Sequence, residues 1–265
     1  MEILTYTFTQ RALITGVLIS ILSSIIGIYL IYRGMTFMSA GISHAVFGGL
    51  AIGYLLGINM TLTAILFTLF LIWSIPHIVK RSNLKQEIPV GIFYSSSMAL
   101  GALLLSFHKG YTTDLFSFLF GSILSVKEED IILTLLLTAI TLIFFVKNYW
   151  KIIFILFDKE TAEASGIKVF KIERWILMLT GISIVLISKL VGIILSSALI
   201  IIPAATIIPF VKDIKKSILF TILLNLIFIT LGLILSYYFN IPTGSTIVMI
   251  ATTFFLISLF IKKNY

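Results

Sequence analysis

The chain has 265 residues, 59% of them hydrophobic and 11% charged, with a formal net charge of +8. A soluble domain averages about 25% charged residues, so this chain lacks the polar sequence to coat a water-facing core, and the soluble class is excluded. Its basic excess sits in short segments between apolar runs, which removes nucleic acid as a partner. The absence of cysteine removes disulfides, thiolate ligands and cysteine nucleophiles.

A helix needs about 20 apolar residues to cross about 30 Å of hydrocarbon. Runs of that length recur from end to end. Nine spans are predicted, over residues 12–32, 36–57, 61–79, 89–107, 130–147, 174–189, 191–211, 217–239 and 243–262. The fold class is therefore all-α: a polytopic transmembrane helical bundle of about nine spans, with a short re-entrant segment, in one transmembrane domain over 1–265. The first run follows Arg11 and reaches Tyr32. It is longer than the apolar region of a signal peptide and no small-x-small cleavage site follows, so it reads as a span.

The second span holds the most informative residues. Gly49, Gly53 and Gly57 are spaced by four and share one helix face, a pattern that serves close helix packing. Ala40, His44, Gly48, Ala51 and Leu55 form a second stripe, on which small residues flank the imidazole. His44 is the one ionisable residue well inside a span, and intramembrane ionisable groups mark pathways and relays. Neutral imidazole is also a common ligand for divalent transition metals. The alternative is a buried histidine hydrogen-bonded to a backbone carbonyl or to Ser43.

Beyond the fourth span, Leu115–Leu124 is too short to cross and reads as a re-entrant or interfacial segment, tolerated only where protein or a water-filled cavity covers its backbone. Asp114 opens it, either as a group on the pathway or as a cap or interfacial charge. After the fifth span, Phe157–Ile167 reads as a short helix, with Asp158 as N-cap and Gly166 as the stop. Glu160 and Glu163 lie on its polar face, and the helix is either a solvated connector or a docking element. Further on, Asn225 lies within a span, where interhelical hydrogen bonding is expected, and Asn240 ends that span.

Trp175–Val211 is too long for one span and tight for two, but Lys189 followed by Gly192 offers a break. Two spans there gather 15 of the 19 basic residues on one side, leaving Arg11, Lys109, Lys127 and Lys189 on the other. The positive-inside rule then places the N-terminus outside and the C-terminus in the cytoplasm.

All eleven acidic residues fall in loops or at span edges, which leaves little for proton or sodium coupling within the membrane. The chain has no G-x-x-x-x-G-K-[ST] phosphate loop, and neither G-x-S-x-G nor H-E-x-x-H. No hydrolytic machinery is legible.

Five stretches, in order, make the chain resemble the permease subunits of bacterial zinc/manganese ABC importers. They are Ser43-His-Ala, the run from Asp114 to Leu124, the run from Phe157 to Ile167, the run from Val191 to Thr206, and Asn240-Ile-Pro-Thr-Gly-Ser-Thr-Ile-Val. The resemblance implies a homodimeric channel in the bacterial cell membrane and two cytoplasmic ATP-binding subunits. An extracytoplasmic metal-binding protein delivers the ion, and lipid surrounds the spans. On that likeness a divalent ion, zinc or manganese, is transported inward by alternating access, with no permanently bound cofactor and with ATP hydrolysed on a partner chain. Asp158, Glu160, Glu163 and Gly166 belong to the coupling helix, His44 matches a histidine of the metal path, and Asp114 joins it as a candidate ligand. Many family members carry aspartate four residues before the histidine, where this chain has Ala40, and Asn240 stands where aspartate is frequent. Iron or a metal chelate as cargo, or a stand-alone secondary transporter, are the alternatives.

Overall fold

The computed structural model describes residues 7–82, 84–85, 87–107 and 126–262. These form eleven helices and, among the described residues, no strand: α1 Thr7–Tyr32, α2 Thr36–Leu56, α3 Met60–Ser82, α4 Glu87–Ser106, α5 Glu128–Lys147, α6 Tyr149–Phe157, α7 Lys159–Ala164, α8 Val169–Val191, α9 Ile193–Ile207, α10 Ile214–Phe239 and α11 Thr243–Lys262. Asp114 and the expected re-entrant stretch 115–124 lie outside the described residues.

Eight of these helices are long and apolar enough to cross a membrane. The ninth predicted span is α9, whose 15 residues give a rod of about 22 Å. It need not span alone, because it folds back against α8. The break falls at Gly192, with φ 92° and ψ 157°, a conformation essentially reserved for glycine. The Gly192 N–H closes α8 on the Ser188 carbonyl at 2.9 Å, and the Ser196 N–H opens α9 on the Gly192 carbonyl at 3.0 Å. Glu173, near the start of α8, pairs with Arg33 just beyond α1. Ala204, near the end of α9, packs beside Ile28 near the end of α1. Both arms therefore leave the turn toward the same end of the bundle.

Helices α1, α2 and α8 are the buried centre, and α3, α4, α5, α10 and α11 surround them. The outer helices turn Leu62, Leu66, Phe70, Leu135, Ile143, Leu223 and Phe260 outward. An apolar exterior suits hydrocarbon, and helices satisfy their own backbone there. The centre is close-packed: a Cβ at Gly27 of α1 would stand 1.9 Å from the Ile200 carbonyl oxygen of α9, so these two backbones touch without a side chain between them.

Several boundaries differ from the sequence expectation: α1 starts at Thr7 rather than 12, and α9 ends at Ile207 rather than 211. Helix α8 starts at Val169 rather than 174, and α6 occupies the first part of the stretch 147–174, which on sequence alone reads as the longest polar loop. Helix α6 is Tyr-Trp-Lys-Ile-Ile-Phe-Ile-Leu-Phe. It buries Ile152 and Ile155 while leaving Trp150 and Phe157 exposed, the two-faced pattern of a helix lying along an interface.

Among the described residues, the ion pairs lie at the two ends. At one, Arg11 meets Glu128 at 2.5 Å and Lys189 meets Asp130 at 2.6 Å. At the other, Glu173 accepts from Arg33 at 2.5 Å and from Lys159 at 2.9 Å.

Candidate permeation and coupling sites

His44 stands in the third turn of α2, half-buried. Its ring meets Tyr94 of α4 edge to face, with centroids 5.0 Å apart. Its Nδ1 is buried and has no hydrogen-bond partner. The bond to a carbonyl or to Ser43 that would make it an ordinary buried histidine is therefore not made at Nδ1. Ser43 turns elsewhere: its hydroxyl donates to the Ser39 carbonyl at 2.8 Å and lies 3.2 Å from the Ser196 hydroxyl. Ser196 also accepts from Ser188 at 2.9 Å and donates to the Ile193 carbonyl at 2.7 Å. Three hydroxyls thus tie α2 to the tip of the α8–α9 hairpin, one residue from His44. Among the described residues, no group of three or more His, Asp or Glu side chains is arranged to hold a metal.

The rest of α2 explains its glycines. A Cβ at Gly49 would lie 2.7 Å from the Ala64 Cα, and one at Gly53 would lie 2.8 Å from the Met60 Cα, both on α3. Gly57 differs from the expectation. It has φ +66° with open space around its Cβ position, and it ends α2. Its N–H bonds the Tyr54 carbonyl and that of Ile58 bonds the Gly53 carbonyl, the two closing bonds of a left-handed helix stop. On the second stripe, Gly48 faces α4: a Cβ there would lie 2.9 Å from the Ser97 carbonyl. That part of the stripe is a packed contact within one chain.

Helix α7 is capped at both ends by its own sequence. The Asp158 carboxylate accepts from the Thr161 N–H at 3.0 Å and from its hydroxyl at 2.5 Å. These bonds, the hydroxyl foremost, hold its carboxyl below the usual carboxylate range. At the far end Gly166 has φ +83°. Its N–H bonds Glu163 at 3.0 Å and the Ile167 N–H bonds Ala162 at 3.1 Å, again the left-handed stop. Ala162 is fully buried, whereas Glu160 and Glu163 are exposed. The helix is seated by one residue and presents its acids outward.

Comparison with known proteins places this architecture. Residues 5–262 match the ABC 3 transport family. The chain belongs to this family. It is 35% identical over 260 residues to the manganese transport system membrane protein MntC of Listeria monocytogenes, covering 98% of this chain and 92% of that one. It is 36% identical over 262 residues to the manganese import system permease protein ScaB of Streptococcus gordonii, covering 98% and 94%. A solved structure, PsaBC from Streptococcus pneumoniae in complex with Fab, superposes with a TM-score of 0.88 at 35% identity, covering all of this chain and 96% of that one.

Within this family member, three charged residues from loops and helix ends, with no sequence spacing to pair them, form a connected group. Glu173 is 16% exposed and Arg33 20%, and their pair joins the end of α1 to α8; Lys159, 42% exposed, adds the first residue of α7. A cavity of about 230 Å³ opens beside them, also lined by Tyr29, Lys80 and Arg174. Elsewhere, Asn225 on α10 donates to the Ser23 and Ser24 hydroxyls of α1 at 3.1 and 3.2 Å, the interhelical bonding expected of it. Asn240 adopts φ 52° and caps α10 through its N–H to the Ser236 carbonyl.

Proposed function

We propose that this chain is the membrane-spanning permease subunit of an ATP-driven importer for a divalent transition metal, with manganese the first cargo to test. The observation that carries the reading is the match along 5–262, supported by the full-length likeness to proteins named for manganese transport. The basic end, with Arg33, Lys80, Lys159 and Arg174, faces the cytoplasm under the positive-inside rule, and the N-terminus lies outside. Two copies form the pathway. Cytoplasmic ATP-binding subunits engage α7 through Glu160 and Glu163, and an extracytoplasmic metal-binding protein delivers the ion.

His44 supplies an imidazole lone pair to the passing ion. With Ala40 in place of a carboxylate, the protein offers one nitrogen and little hard oxygen at this level. Manganese prefers oxygen ligands, so the ion keeps water here and is held weakly, as transit requires. Alternating access follows from ATP binding on the partner chains, transmitted through α7.

The test is reconstitution with the ATP-binding and metal-binding partners in liposomes. Manganese accumulates only when ATP is supplied, zinc and iron serve as competitors to rank the cargo, and His44→Ala lowers uptake at least about tenfold with normal insertion. Uptake without the ATPase, driven by a proton gradient, sinks the importer reading. Unchanged uptake in His44→Ala returns that residue to a packing role.

A further inference from the structure

A groove of about 700 Å³ runs between α5 and α8 at the basic end of the bundle. Its mouth carries four lysines: Lys147 ends α5, Lys151 lies on α6, and Lys168 and Lys171 open α8. All four are exposed. Among the described residues, none enters an ion pair and no carboxylate lines the groove. Four ammonium groups around one opening repel each other unless an anion joins them.

The inner part of the groove is different in kind. Phe144 lies one turn below Lys147, while Trp175 and Leu179 lie one and two turns beyond Lys171, so the cleft descends about 11 Å into the span. Trp175 is 50% exposed and Ile140, on the facing wall, 55%. A basic rim, an indole at the rim's depth and an apolar cleft below match the headgroup, glycerol and upper acyl carbons of a phospholipid. A soluble anion has no use for the cleft, and an acidic protein segment would leave its apolar walls uncovered.

We propose that the α5–α8 groove is a binding site for an anionic phospholipid, its phosphate held by Lys147, Lys151, Lys168 and Lys171 and its acyl chain by the cleft beside Trp175. Ser165 and Gly166, at the closing end of α7, also border the groove. The bound lipid therefore sits against the helix assigned above to ATPase docking. The lipid site itself does not rest on that assignment.

The experiment uses the full chain carrying Trp73→Phe and Trp150→Phe, so that Trp175 is the one indole left. It is reconstituted in phosphatidylcholine nanodiscs with rising fractions of brominated phosphatidylglycerol or brominated phosphatidylcholine. Quenching of Trp175 should reach its midpoint at an anionic-lipid fraction about tenfold lower than for the zwitterionic lipid, four lysines each adding a modest attraction. Changing all four lysines to Gln should bring the two curves together. Should that variant fail to insert, the pairs Lys147→Gln/Lys151→Gln and Lys168→Gln/Lys171→Gln should each give an intermediate shift. Coincident curves for the unaltered lysines overturn the site, leaving only annular lipid. Relief of quenching by inorganic phosphate, or by the ATP-binding subunit, overturns it equally, in favour of a free anion or an acidic partner.

Discussion

Replacing Glu173 by Gln tests whether the ion group at the basic end is structural. Two attractions are lost: Arg33 at 2.5 Å and Lys159 at 2.9 Å. An exposed pair is worth about 0–1 kcal/mol, while stripping one partner from a buried pair costs about 3–5 kcal/mol. With Glu173 16% exposed and Arg33 20% exposed, the first pair lies nearer the buried limit. The glutamine amide oxygen still accepts one bond, recovering about 1 kcal/mol. The expected loss is about 2–3 kcal/mol. It is reinforced by leaving Arg33, Lys80, Lys159 and Arg174 around one cavity with no anion. Lys159→Gln, 42% exposed, should cost about 1 kcal/mol or less. Unfolding titrations in mixed micelles measure both, and because the residues touch, their double mutant should deviate from additivity by more than about 0.5 kcal/mol. If Glu173→Gln matches the unaltered protein, the group is an ordinary solvated surface; if Lys159→Gln is equally damaging, exposure does not rank the two pairs, and either result refutes the reasoning.

Charge reversal at Glu160 and Glu163 should weaken co-purification of the ATP-binding subunit while leaving insertion and helix content unchanged. A complex that survives intact and active shows that docking does not use those acids. Gly192→Ala should destabilise the α8–α9 hairpin by about 1–3 kcal/mol, the cost of an L-residue in that backbone region; an unchanged melting profile in detergent would refute it. Asp158 has its carboxyl held low by Thr161, so its cap on α7 should be fully present above the ordinary carboxylate pKa and lost as pH falls through its lowered folded value. The exchange protection factor of the Thr161 amide, corrected for intrinsic rate, should therefore hold from neutral pH down to the ordinary carboxylate range and drop only below it. A drop already near neutral pH contradicts that assignment of the cap.

What was legible in the sequence was local. Spans follow from runs of apolar residues, and the hairpin break follows from one glycine after Lys189. The ends of α7 follow from Asp158 and Gly166, whose capping bonds reach three to five residues along the chain. The rest depends on tertiary neighbours. Arg33 and Glu173 are 140 residues apart, and no spacing pairs them. Gly57 shares its interval with Gly49 and Gly53, yet helix α2 ends there, so its φ rather than its face decides its role. Helix α6, nine residues long, is too short to register as a span, so on sequence alone it merges with the polar loop around it. At the candidate site the sequence singles out His44, but Tyr94 and Ser196, which meet His44 and Ser43, come from other helices.

Those neighbours make α8 the element that touches both sites. Near its start, Glu173 holds Lys159 of α7. About 22 Å further along the helix, Ser188 bonds Ser196, which meets Ser43 beside His44. Helices transmit displacement as rigid bodies when their contacts have discrete alternative arrangements. The two ends of α8 differ in this respect. The ion group is partly wet and can re-form with other partners, whereas the three hydroxyls are fully buried and exchange partners only with one another or with nearby carbonyls. On the proposed function, a push on α7 therefore enters through an adaptable ionic joint and arrives at α2 through a stiff hydroxyl one. This also accounts for the near-absence of charge in the spans: the chain needs no titratable relay at membrane depth if its work arrives mechanically, along α8, from a partner that hydrolyses ATP.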